Sequence, residues 1–217
     1  MRGAVPACPV CEQAGTHFFA DVGGREYWRC GLCAATFLSP AQRPEPSDEK
    51  REYDRHRNEV DDDGYRRFLA RLGAPLLERL SPNSEGLDYG CGPGPALAAM
   101  LREAGHRVHV WDPIYQPHPD ALGRRYDFIT CTEVVEHMHH PAEEFRRLDA
   151  LLRPGGILGV MTIFQTSDAR FADWHYRRDP THVVFYREST LAIVAERFGW
   201  SMEIPRPNIA IFRKPKY

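Results

Sequence analysis

The stretch from Gly86 to Gly94, Gly-Leu-Asp-Tyr-Gly-Cys-Gly-Pro-Gly, constrains the fold of this chain more than any other. A short apolar run leads into three glycines on alternate positions, Gly90, Gly92 and Gly94. The following Pro95–Gly105 segment reads as a helix that stops at its glycine. A strand, a bare turn and a helix N-terminus in sequence suit a nucleotide-like ligand. The glycines let the backbone come close to it. The dinucleotide fingerprint G-x-G-x-x-G is not met, because the third glycine falls one place early. No Gly-Lys-Ser/Thr follows, so the loop is not a P-loop either.

Strand and helix patterns alternate after this turn. Residues 106–112, 126–132 and 157–164 read as strands, and 141–156 as an amphipathic helix stopped by Pro154-Gly155-Gly156. Residues 188–199 read as a last helix, and 200–204 with 208–214 as two strands able to pair as a hairpin. This order predicts an α/β fold. Its centre is a doubly wound, mostly parallel, Rossmann-like sheet with helices on both faces and an antiparallel C-terminal edge. Ligands of such sheets bind beyond the carboxyl ends of the strands.

Asp88-x-Gly90-x-Gly92-x-Gly94 resembles the first motif of class I S-adenosylmethionine (SAM)-dependent methyltransferases. The resemblance runs in register from residue 86 to about 165: Tyr126–Pro141 is similar to that family's fourth strand and following loop, and Leu151–Thr162 to its fifth strand. It implies SAM as cofactor, held by Asp88, Tyr89, Gly90, Cys91, Gly92, Gly94, Asp112, Pro113, Thr132 and Glu133. The Asp88 carboxylate suits the cationic amino-acid end of SAM, directly or through water. Asp112, at the end of the second strand, suits the ribose hydroxyls. Only 13 proline-rich residues separate Asp112 from Tyr126, so the family's third strand and its helix are shortened or lost, and with them the usual adenine contacts.

Four of six cysteines lie in the first 33 residues, as Cys8-x-x-Cys11 and Cys30-x-x-Cys33. Two such pairs suit one tetrahedral, structural zinc ion, with a hairpin turning at Gly23-Gly24 between them. So short a segment lacks a core of its own, so metal binding drives its folding. Cys91 and Cys131 stand alone in apolar surroundings and read as buried, reduced thiols. The chain thus divides into a zinc-ribbon-like module (1–39), a linker with a helical lid (40–80) and a methyltransferase domain (81–217). Residues 39–50 read as linker and 51–80 as mostly helical, with Pro75 kinking or splitting the helix. Tyr53, His56 and Asn58 are lid candidates over the cofactor.

The module carries Arg2, Arg25 and Arg29 against Glu12, Asp21 and Glu26, and the whole chain has a net charge of −2. Neither balance is a footprint for phosphates. The module is expected to pack on the catalytic domain or to cover its substrate cleft. No apolar run reaches the roughly 18 residues of a membrane span, and the N-terminus shows no secretory pattern. A reducing cytoplasm is the expected compartment.

Methyl transfer from a sulfonium is an in-line displacement that often needs a proton removed from the acceptor. The densest set of candidates is Glu133-Val-Val-Glu136-His137, whose spacing gathers two carboxylates and an imidazole if it turns helically. The stretch 174–186 adds His175, Tyr176, Arg177, Asp179 and His182. Three readings of Glu136, His137 and His182 stand side by side. They can order a loop or touch the substrate. His137 or His182 can be a general base. Or Glu133, Glu136, His137 and His182 can bind a divalent ion such as magnesium, as in the small-RNA 3′-end 2′-O-methyltransferases that this set resembles. Ubiquinone-pathway O-methyltransferases carry a similar Glu-x-x-Glu-His. His139 and His140 read as solvated loop residues. A small-molecule or saccharide acceptor fits the charge. RNA is the enzymatic alternative, and a non-catalytic zinc-ribbon binding protein the other. The sequence is silent on oligomeric state.

Overall fold

A computed structural model describes residues 4–55 and 58–217. His56 and Arg2 lie outside the described residues. The chain opens with the hairpin β1 (Thr16–Val22) and β2 (Arg25–Cys30), which turns at Gly23 and Gly24 as expected. Both glycines have φ in the left-handed region, +64° and +80°, where side chains other than glycine are strained. Strand β3 (Thr36–Leu38) pairs with β2, and helix α1 (Pro46–Tyr53) follows. Helix α1 begins inside the stretch read as linker. Pro46 sits in its first turn, where a missing N–H costs nothing. Helix α2 (Asp63–Leu77) starts at Asp62, whose carboxylate accepts from the Tyr65 N–H at 2.6 Å. Residues 51–80 are therefore two helices with a break between Tyr53 and Asp63. The break comes well before Pro75, which sits harmlessly in the last turn of α2.

The larger sheet comprises β4 (Glu85–Tyr89), β5 (Arg107–Trp111), β6 (Tyr126–Thr132), β7 (Leu152–Met161), β9 (Ser201–Arg206) and β10 (Ile209–Arg213). Between them come α3 (Ala96–Glu103), α4 (Pro141–Leu151), the two-residue strand β8 (Val184–Phe185) and α5 (Glu188–Phe198). The strand order is β5-β4-β6-β7-β10-β9, parallel through β7 and antiparallel at β10 and β9. That is the expected doubly wound sheet with its hairpin edge. Between Asp112 and Tyr126 the chain makes one isolated bridge, Asp112–Gln116, and a 3-10 turn at Pro119–Gly123, so the third strand is lost.

Each face of the sheet has its own apolar cluster. Leu69, Leu72, Leu76, Leu97 and Leu101 of α2 and α3 pack on Phe128, Ile157 and Ile211. On the other face Phe145, Leu148, Leu191 and Val194 of α4 and α5 join Ile129, Leu158 and Val160. The second cluster continues without a break into the cysteine module through Tyr27, Phe37, Leu38 and Phe185. Strand β6 is buried on both faces, which explains its unbroken apolar run. Cys91 and Cys131 are free and buried, as expected.

Pro154-Gly155-Gly156 is not the end of α4. The helix ends at Leu151, and these residues open β7. They fall beside a register irregularity between Tyr126 and Phe128, and Gly155 takes φ +77° there. The C-terminal segment holds them: Gly155 N–H donates to Pro215 O (3.0 Å) and Lys214 N–H to Gly156 O (2.9 Å). Among the described residues no helix is long and apolar enough to cross a membrane.

Gly86 is the tightest point of the sheet. A Cβ built on it would lie 2.1 Å from the Phe128 ring, its neighbour on β6. Gly86→Ala is expected to cost about 1–3 kcal/mol of stability as overpacking, read as a lower midpoint of urea unfolding.

Candidate functional site

The cofactor loop is held from below by β5. Gly90 N–H and Cys91 N–H both donate to Trp111 O, at 2.7 and 3.3 Å. Gly90 and Gly92 adopt φ of +73° and +64°, so the turn itself demands glycine twice. Gly94 has a different reason. A Cβ there would meet the carbonyl oxygen of Asn58 at 1.7 Å, so the chain approaching this glycine is the segment after α1. Asp112 is buried and clasps the loop: one carboxylate oxygen accepts from Gly92 N–H (3.0 Å), the other from Ile114 and Tyr115 N–H (2.8 and 2.9 Å).

Asp88 is buried and accepts from the Thr130 hydroxyl at 2.7 Å. Burial pushes its carboxyl up to about 6, with the Thr130 bond opposing. Asp88, Gly90, Cys91 and Thr132 line one narrow cavity together with Tyr65 and Leu69 of α2. Burial raises the Cys91 thiol to about 12, which removes it as a nucleophile. Tyr89 and Pro113 flank the loop. Tyr89 packs on Trp111 (4.5 Å between ring centroids), and its hydroxyl donates to Glu144 of α4. Pro113 is exposed.

Helix α1 lies across both halves of the site. The Tyr53 ring meets His137 edge-on at 5.2 Å, and Asp54 accepts from the Tyr115 hydroxyl at 2.7 Å. His139 is not a solvated loop residue: it is half-buried, with Nε2 2.9 Å from a Glu49 oxygen of α1. His140 is exposed, at the start of α4.

The acceptor-side cluster forms where Glu133 leaves β6. This residue takes φ +52°, a strained conformation for a side chain other than glycine, fixed by its N–H bond to Met161 O (2.8 Å). Val135–His137 then makes a single 3-10 turn. Tyr176, buried in a 3-10 turn of residues 175–178, donates its hydroxyl to Glu136 Oε1 at 2.5 Å, and that Tyr176 hydroxyl lies 3.2 Å from Glu133 Oε2 and 3.0 Å from the Thr162 hydroxyl. Burial lifts both Glu133 and Glu136 to about 7. For Glu136 the charge of Glu133 adds to the effect.

Two imidazoles face this pair. His137 Nδ1 lies 3.2 Å from Thr181 O and His182 Nδ1 2.7 Å from Tyr176 O. A carbonyl only accepts, so each Nδ1 carries the hydrogen. The rings stand 4.6 Å apart, with His137 Nε2 3.9 Å from Glu136 Oε1 and His182 Nε2 3.8 Å from Asp179. Glu136 is fully buried, and its Oε2 has no hydrogen-bond partner among the described residues. One donor atom each from Glu136, His137 and His182 falls within 4.8 Å of the others, which suits a divalent cation. Glu133 stands outside that set, turned to Tyr176. Tyr176 is the residue whose role the sequence does not reveal. Its position in the 174–186 stretch was the only signal.

Cys8, Cys11, Cys30 and Cys33 are buried and unpaired by disulfides, and their sulfurs lie within 4.8 Å of one another. Cys8–Cys33 and Cys11–Cys30 are 3.6 and 3.5 Å apart. Zinc–sulfur bonds of about 2.3 Å set tetrahedral edges of about 3.8 Å, so the residues fit the ion. The module is pinned to helices of the larger sheet by Glu12, which binds Arg146 of α4 (2.7 Å) and Arg197 of α5 (2.8 Å).

A glycine loop, a buried acid at the end of β5 and a closed cluster beyond β6 define a SAM-dependent methyltransferase. The family described as "Methyltransferase domain" matches residues 53–203, and the chain belongs to it. It is similar to ubiquinone biosynthesis O-methyltransferases of Serratia proteamaculans (33% identical over 101 residues, 46% of this chain and 39% of that one) and Proteus mirabilis (30% over 103 residues, 48% and 39%). The chain spans about two fifths of the length of these curated relatives. Two solved structures share the fold. One is Burkholderia thailandensis 1,6-didemethyltoxoflavin-N1-methyltransferase with bound 1,6-didemethyltoxoflavin and S-adenosylhomocysteine (TM-score 0.58, 19% identity, 93% of this chain and 100% of that one). The other is magnesium protoporphyrin IX methyltransferase of Synechocystis with bound S-adenosylhomocysteine (TM-score 0.54, 17% identity, 77% and 94%).

Asp88 yields a pH prediction. Its folded carboxyl, at about 6, lies above the ordinary 3.8, so the folded chain holds a proton that the unfolded chain releases. Its contribution to stability is complete below about pH 4 and is lost as pH rises through about 6. Relative to Asp88→Asn, the wild type should lose up to about 3 kcal/mol between pH 4 and 7, measured by urea unfolding across that range.

Proposed function

We propose that this enzyme moves the methyl group of SAM to a hydroxyl of a small-molecule acceptor held at Glu136, His137 and His182. One observation carries the reading: one donor atom each from Glu136, His137 and His182 lies within 4.8 Å of the others, around a fully buried carboxylate, an arrangement that suits a cation. The resemblance to O-methyltransferases supports the acceptor atom. The near-neutral charge supports a small molecule over RNA.

In this reading Asp88 and Thr132 face the amino-acid end of SAM, and Gly90 and Gly92 give its chain close passage. Asp112 offers its remaining lone pairs to the ribose while clasping the loop. Glu136, His137 and His182 hold a divalent ion, magnesium or a similar metal. Bound there, such an ion supplies positive charge that makes an acceptor hydroxyl more acidic. The backbone carbonyls on Nδ1 of His137 and His182 orient each ring as a ligand. Tyr176 keeps Glu136 oriented through its hydroxyl and His182 through its carbonyl. The four cysteines hold structural zinc.

Methyl label from SAM should pass into the small-molecule fraction of a cell extract, and more so with added magnesium or manganese. His182→Ala and Glu136→Gln should each lower that transfer roughly a hundredfold or more while SAM still binds. Asp112→Ala should instead weaken SAM binding about tenfold or more by titration calorimetry. Absence of SAM binding by folded, zinc-loaded protein would sink the proposal, and label in RNA with steep salt dependence would redirect it.

A further inference from the structure

The acceptor-side cluster does not rest on the methyltransferase sheet alone. His182 lies two residues before β8, and β8 belongs to the four-stranded sheet of the cysteine module, in the order β1-β2-β3-β8. Strand β3 starts three residues after Cys33. Its Thr36 and Phe37 pair with Phe185 and Val184. The next rung crosses the whole cluster: Leu38 N–H donates to Val183 O at 2.8 Å, and Val183 N–H donates to Glu136 O at 2.9 Å. Two more bonds close the clamp, from the Tyr186 hydroxyl to Val135 O (3.0 Å) and from the Thr36 hydroxyl to Gln165 Oε1 (2.6 Å). Residues 181–186 are all buried between β3 on one side and the 133–137 turn on the other. The cofactor loop, by contrast, hangs on Trp111 and Asp112 of the methyltransferase sheet.

We infer that β3 is a positioning element of the acceptor site: the metal bound by the four cysteines sets the placement of His182 and Glu136, and leaves the SAM loop to its own anchors. The assignment of His182 and Glu136 to the acceptor side rests on the function proposed above. The physical reason is the size of the strand. Three residues make a weak strand by themselves. What fixes β3 is its pairing with β2 and the Cys30–Cys33 turn that joins the two, where Cys33 N–H donates to Cys30 Sγ and Cys30 N–H to Ala35 O. Without the ion the site is four crowded thiols, and metal binding in such modules is folding free energy. When β3 frays, β8 loses its partner, and with it go the carbonyl that orients His137 and the N–H that holds the Glu136 backbone.

The test uses the full chain, zinc-loaded, stripped by chelator and reloaded. Hydrogen exchange is followed in peptides covering 133–138, 181–186 and 86–94. SAM affinity is measured by calorimetry, and manganese is titrated as a probe of the Glu136–His137–His182 cluster. Stripping should speed exchange at 133–138 and 181–186 about tenfold or more, leave 86–94 and SAM affinity within about twofold, and weaken manganese binding, all reversed by zinc. Thr36→Val keeps the four cysteines and strands its partners Arg29 and Gln165; it should speed exchange at 181–186 about fivefold with one zinc still bound. Unchanged protection at 181–186 in the stripped chain overturns the inference, as does an equal loss at 86–94. Failure of manganese to bind the loaded chain counts against the proposed function only, because the exchange pattern decides the role of β3 by itself.

Discussion

Four carboxylates crowd the carboxyl edge of one sheet, and the rest of the site follows from the cost of keeping them there. Asp88, Asp112 and Glu136 are buried, and Glu133 is half-buried. Removing a carboxylate from water is expensive unless hydrogen bonds or opposite charge compensate. Asp112 is compensated by three backbone N–H groups. Asp88 has the Thr130 hydroxyl and a backbone N–H, Glu133 and Glu136 share the Tyr176 phenol, and burial outweighs this help, so that all three hold protons more tightly. A site with this unmet demand for positive charge is matched to a cationic cofactor at one end and, in the proposed reading, a metal ion at the other.

The sheet and its loop are legible in the sequence because their signals are local. An apolar run and three glycines state where β4 ends, and the strict β6 pattern places Tyr126–Thr132 to the residue. The lost third strand is equally legible, since too few residues separate Asp112 from Tyr126 to build it. Errors arise where tertiary contacts override composition. Proline and charge made 39–50 look like linker, yet α1 forms there because Tyr53 and Glu49 find His137 and His139 across the cleft. Pro-Gly-Gly signals a helix end in isolation, but here the C-terminal segment draws it into a strand.

The acceptor side is only half legible. The spacing of Glu133, Glu136 and His137 points to a cluster, but a left-handed Glu133 and a single 3-10 turn turn Glu133 aside and leave Glu136 with His137. His182 joins them from 45 residues downstream. Nothing local announces Tyr176, whose hydroxyl and carbonyl tie the carboxylates to that histidine. The partner of β3 was likewise hidden, since two residues of β8 carry no strand signature of their own.

That partnership has a consequence for how the molecule comes into being. The module is made before the strand that completes its sheet, which lies about 150 residues later, a contact of very long range. The earlier segment is thus obliged to wait for the later one. Until then its edge stays open to pairing with other chains, the hazard of any unpaired strand. Early capture of metal by the four cysteines would shorten that exposure by holding the edge in a single shape while the remainder is synthesised.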